Sequence, residues 1–87
     1  MILVYINSTS GVSKASLEAV SYANKLGDVV VVTNGSLASD DLASMGTYGA
    51  SKVLVDRTVS GDDQQQIVRM VSETAQSQGA DTVVFVH

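Results

Sequence analysis

Ile2-Leu3-Val4-Tyr5-Ile6 and Val29-Val30-Val31-Val32-Thr33 are apolar or β-branched throughout, with no alternation of apolar and polar positions. A strand with one wet face alternates, whereas an unbroken apolar run is how a strand reads when both of its faces are covered. Each run therefore calls for packing layers above and below it. Lys52-Val53-Leu54-Val55-Asp56 repeats the pattern with charged flanks, which place it nearer a sheet edge. A last run, Thr82-Val83-Val84-Phe85-Val86, lies within the strand expected over 81–87.

The segments between these runs read as helices. Over 14–26, Ala15, Ala19, Tyr22, Ala23 and Leu26 share one arc, opposite Glu18, Ser21 and Lys25, and Gly27 is the expected stop. Leu17 falls off that arc and is expected to contact a neighbouring element or subunit. A shorter helix is expected over 37–45, with Ser39 as N-cap, Asp40 and Asp41 in the first turn, and Gly46 as its end. Ser60 with Asp63 three residues on resembles a capping box, and Ile67, Val71, Thr74, Ala75 and Gln78 form a stripe opposite Arg69, Glu73 and Gln76 before Gly79.

Alternating strands and helices with buried-type strands specify an α/β fold, a Rossmann-like three-layer sandwich. Its sheet is expected to be mostly parallel, with strand order 3-2-1-4 and the first strand central. The 87 residues suffice for one domain, and no linker or repeat divides them. With 45% hydrophobic and 16% charged residues the chain is too apolar to be disordered. In a doubly wound sheet a fully apolar last strand normally leads into another helix and a covering strand, and without that cover the strand Thr82 to Val86 is expected to associate, most simply by self-pairing.

Composition narrows the chemistry. No Cys is present, which removes disulfides, thiolate metal sites and a cysteine nucleophile, and the single His87 leaves little for an imidazole base. A net charge of -4 is the wrong sign for a phosphate-neutralising surface, so nucleic acid is not an expected partner. With no signal-peptide pattern and no apolar run long enough to span a bilayer, a cytoplasmic location is expected.

In such sheets ligands bind beyond the carboxyl ends of the strands, which makes the loop 7–13 the leading candidate. Ser8, Thr9, Ser10, Gly11 and Ser13, just before a helix start, could hold a phosphate on backbone N–H groups, with Lys14 the one basic group close by. The same residues are also what any solvated strand-to-helix turn contains, and neither G-x-x-x-x-G-K-[ST] nor G-x-G-x-x-G is present. Ser8-Thr9-Ser10-Gly11-Val12-Ser13 resembles a degenerate flavodoxin phosphate loop, yet the later loop 57–63 lacks the aromatics that stack a flavin ring. Asp40-Asp41 and Asp62-Asp63 fit first-turn carboxylates better than metal ligands or an acid/base pair. Tyr48, between Gly46 and Gly49, is either a surface anchor or a residue packed under its own loop. No catalytic or metal-ligating residue is identified.

The order of several segments carries a more specific signal. Met1-Ile2-Leu3-Val4-Tyr5-Ile6, Ser16-Leu17-Glu18-Ala19-Val20-Ser21-Tyr22-Ala23 with Lys25-Leu26-Gly27, Tyr48-Gly49-Ala50-Ser51-Lys52-Val53-Leu54-Val55, and Gly79-Ala80-Asp81-Thr82-Val83-Val84-Phe85 together resemble the N-terminal domain of the electron transfer flavoprotein alpha subunit. The resemblance runs over nearly the whole chain and implies an adenine-nucleotide α-hydrolase-like fold. It also implies a protein partner, a beta subunit of related fold that carries AMP. In that family FAD is held by a separate C-terminal domain of the alpha subunit, which has no counterpart in these residues. The resemblance therefore implies a non-catalytic scaffold and interaction domain, with no cofactor of its own. It would support electron transfer together with a flavin-bearing domain or partner, or form a homo-oligomer. The alternative from the residues alone is a small nucleotide- or FMN-phosphate-binding domain using Ser8, Thr9, Ser10, Gly11 and Ser13.

Overall fold

A computed structural model describes residues 1–7, 14–34, 39–56 and 63–86. Four strands and three helices alternate: β1 (Ile2–Ile6), α1 (Lys14–Asn24), β2 (Val29–Asn34), α2 (Ser39–Thr47), β3 (Ala50–Asp56), α3 (Gln64–Gln78) and β4 (Thr82–Val86). All strand pairs are parallel and the order is β3-β2-β1-β4, as the sequence predicts.

Every residue of β1 and β2 is buried, and successive side chains serve opposite faces of the sheet. Ile2, Val4, Ile6, Val29 and Val31 point to one face, where Val20 and Ala23 of α1 and Met45 of α2 close the core. Leu3, Tyr5, Val30 and Val32 point to the other, under Ile67, Met70 and Val71 of α3. The chain steps one way through β1, β2 and β3, then back across the sheet to β4. Right-handed crossovers accordingly put α1 and α2 on one face and α3 on the other.

β3 is an edge strand, as its charged flanks imply. Its register slips between Val29 and Val30, which pair with Ala50 and Lys52, and the extra Ser51 donates its hydroxyl to the Val29 carbonyl at 2.7 Å. That irregularity is a β-bulge, one of the devices that blunt a sheet edge.

Several local expectations are corrected. The buried face of α1 is Ser16, Val20 and Ala23 with Leu17 packed beside it, while Tyr22 and Leu26 are 66% and 67% exposed. The buried arc thus lies about a quarter turn from the expected one, because small Ser16 fits close against the sheet and the bulkier Tyr22 does not. The first helix ends at Asn24, two residues early, and Gly27 is not left-handed. Gly46 lies inside α2, and the turn that follows rests on Gly49 at φ 117. The N-cap of α3 is Asp63, not Ser60: the Asp63 carboxylate accepts from the Gln66 N–H at 3.1 Å. The end of α3 is as expected, with Gly79 in the left-handed region and the Ala80 N–H donating to the Ala75 carbonyl. The α3 stripe is also as expected, with Met70 added to it.

Candidate functional site

The order of strand addition reverses between β1 and β4, which makes the carboxyl ends of these parallel strands the crevice where open α/β sheets bind ligands. Ser8, Thr9, Ser10, Gly11 and Ser13 lie outside the described residues, as do Asp62 and His87. The described frame around the loop consists of Asn7 at the end of β1 and Lys14 at the start of α1.

Beneath that frame lies a buried polar cluster. The Tyr5 hydroxyl donates to Asn34 Oδ1 at 3.1 Å, and the Thr33 hydroxyl donates to the Ile6 carbonyl at 2.6 Å. All three side chains are at most 1% exposed. Burial raises the Tyr5 pKa above its ordinary value, because the phenolate would lose its hydration. Among the described residues no buried side-chain polar atom lacks a partner, so this cluster is satisfied and fixes the ends of β1 and β2. Sequence reasoning missed it. The available signal was a hydroxyl-bearing ring inside an apolar strand and an Asn closing another, but a pairing across 29 residues is not written in spacing.

A hollow of about 250 Å³ opens at the start of α3, lined by Asp63, Gln65, Gln66 and Arg69. Its one acid caps the helix, leaving an amide-rich surface with a single guanidinium. Asp40 and Asp41 stand in the first turn of α2, as the dipole argument expects. No group of three or more His, Cys, Asp or Glu among the described residues could hold a metal ion. Tyr48 sits in the turn before β3, at the opposite end of the sheet from the crevice, and is 38% exposed. The described groups at the carboxyl ends are Asn7, Asn34, Asp56 and Asp63, with Lys14 and Arg69 as the cations.

The second notable surface is apolar and borders β4. Val83 and Phe85 point to the α3 face, where they are 37% and 46% exposed, and Phe85 meets the Tyr5 ring with centroids 5.9 Å apart. On the other face Val84 and Val86 are only partly buried. Leu17 packs on the core, and the Asn24 side chain lies 2.6 Å from where a Cβ on Gly49 would sit, so that flank of α1 faces α2. At 100° per residue Ala15 and Tyr22 occupy the opposite flank of α1, and Leu26 follows beyond the helix end. β4 thus leaves apolar side chains open on the α3 face, and α1 leaves Tyr22 open on the other.

These features define a doubly wound, Rossmann-like α/β domain with a buried polar seam at the carboxyl ends of β1 and β2 and a thinly covered apolar edge at β4. Residues 2–87 match the electron transfer flavoprotein domain family, and the chain belongs to that family. The match agrees with the resemblance to the alpha subunit's N-terminal domain. No curated protein and no solved structure gave a match. No helix among the described residues is long and apolar enough to cross a membrane.

Proposed function

We propose that this chain is a non-catalytic scaffold and interaction domain of the electron transfer flavoprotein type, acting in the cytoplasm beside a flavin-bearing domain or a beta-subunit-like partner. The observation that carries this reading is the apolar, thinly covered edge strand β4, with Val83 and Phe85 exposed on the α3 face, on a chain whose family implies protein–protein interaction. Large apolar side chains exposed on an uncharged edge strand favour docking onto another protein surface. The domain's part in electron transfer is then to position a flavin held elsewhere, since a cofactor carries the redox chemistry and the protein supplies orientation.

Binding of FAD, FMN, AMP and ATP to the purified chain, followed by calorimetry and by the visible flavin spectrum, tests the reading. No binding, or weak binding at most, is expected. Micromolar binding lost on changing Gly11 to a bulky residue would replace the scaffold reading with the phosphate-loop reading, which rests on residues outside the described ones.

A further inference from the structure

β4 pairs with β1 on one side, and among the described residues no strand pairs with its other side. Which of its backbone groups face outward follows from the hydrogen bonds at its start. The Asp81 N–H donates to the Met1 carbonyl at 3.0 Å, and Ile2 is paired in register with Thr82. Backbone groups alternate sides along a strand, so Val83 and Phe85 also turn theirs to β1, while Thr82, Val84 and Val86 turn theirs away. Charge does not guard that edge. Thr82–Val86 carries none, and the Asp81 carboxylate beside it is paired with the Met1 ammonium at 3.2 Å.

We propose that the outer edge of β4 takes a second copy of this chain, antiparallel about a two-fold axis through Val84. A two-fold contact joins a surface to itself, so it demands a strand that complements itself. Centred on Val84, Thr82 lies opposite Val86 of the second copy and Val84 opposite its own counterpart, so the outward groups of all three residues find partners. Centring on Val83 or Phe85 instead pairs fewer of these groups. Val83 then meets Phe85 of the second copy in the closer, non-hydrogen-bonded kind of pair, with Cα atoms about 4.5 Å apart. That pair covers the two side chains that stand 37% and 46% exposed on the α3 face. Charge also fits: each chain carries a net -4, yet no like charges meet, because the two Asp81 residues fall at opposite ends of the paired strands. One strand pair buries less than the ~1,200 Å² of a standard interface, so the dimer is transient, with a dissociation constant on the order of 0.1 mM. It depends on the edge alone and not on the partner proposed above, and a tighter partner at the same strand displaces the second copy.

Sedimentation equilibrium of the chain alone, from about 10 μM to about 1 mM, reads the association as mass. Wild type is expected to move from monomer toward dimer across that range and to stop there, because a two-fold contact closes on itself. Thr82→Pro removes an outward N–H at the first strand position, where proline is tolerated, and should weaken the dimer about tenfold or more. The chain has no Cys, so Val84→Cys places a single thiol on the axis, and oxidation should give a disulfide-linked dimer. Val68→Cys, exposed on α3, should stay monomeric under the same oxidation. Circular dichroism checks that each variant is folded, and if Thr82→Pro is not, the cross-link decides alone. A wild type still monomeric at the highest concentration, growth beyond the dimer, or equal cross-linking of Val84→Cys and Val68→Cys would overturn the proposal. So would a dimer that a folded Thr82→Pro leaves unchanged.

Discussion

Leu3 lies beside Val83 in register, and Tyr5 beside Phe85, yet the β1 members of these pairs are fully buried while the β4 members are 37% and 46% exposed. The two strands are built from the same kinds of residue. What differs is their position: β1 has a strand on each side, a helix pair on one face and α3 on the other, whereas β4 has one neighbouring strand and thin cover. The other edge behaves differently again. β3 carries Lys52, Asp56 and a bulge at Ser51, all of which discourage strand addition, while β4 over Thr82–Val86 has no charge and no Pro. One edge is finished as a boundary, and the other is uncharged, apolar and thinly covered.

The largest effect expected from this contrast is between register partners. Leu3→Ala should cost about 3 kcal/mol, the usual loss plus cavity for a buried leucine. Val83→Ala should fall within about 0.5 kcal/mol in the isolated chain. Denaturant unfolding measures both, and similar losses would show that β4 is as deeply packed as β1. The approach to the finished edge offers a second test. Gly49→Ala should destabilise by about 2 kcal/mol or more, because its Cβ would collide with Asn24 and its φ of 117 disfavours side chains. Gly79→Ala has open space around the new Cβ, so only the left-handed backbone counts and about 1 kcal/mol is expected from thermal melts. A Gly49→Ala loss no larger than that of Gly79→Ala would mean that the α1 flank does not press on the turn.

A smaller effect separates Tyr5 from its exposed neighbour. The folded pKa of Tyr5 lies above the unfolded value of 10.0, so its contribution is fully present below pH 10 and declines as pH rises through the folded value. Stability should therefore fall more steeply on the alkaline side in wild type than in Tyr5→Phe. Superimposable alkaline limbs would show that the hydroxyl is hydrated in the folded state.

Strand order was legible in the sequence because unbroken apolar runs and turn-forming glycines are local signals, and crossover handedness leaves few ways to connect them. The face of α1 was not. Tyr22 and Leu26 carry the hydrophobic weight in a periodicity count, yet the sheet lies so close that Ser16 and Ala23 fit where larger residues would not. Residue type alone misplaced two helix ends, since Gly46 continues α2 and Asp63 caps α3 in place of Ser60, whereas Gly79 closes α3 as read. For the candidate site, the residue types of loop 7–13 could be read but not their arrangement. The Tyr5–Asn34 contact depends on two strands meeting in register, which only the folded sheet supplies.

The central claim is that the β4 side is where this domain meets its protein partner, and complex formation with an electron transfer flavoprotein beta subunit measures it most directly. Size-exclusion chromatography with light scattering, run on wild type, Phe85→Asp and Lys52→Asp, reads the complex as mass. The expected result is a complex with wild type and with Lys52→Asp, changed at the finished edge, and loss of the complex with Phe85→Asp, provided circular dichroism shows both variants folded. A complex that survives Phe85→Asp but is lost with Lys52→Asp, or no complex with any of the three, would contradict the account.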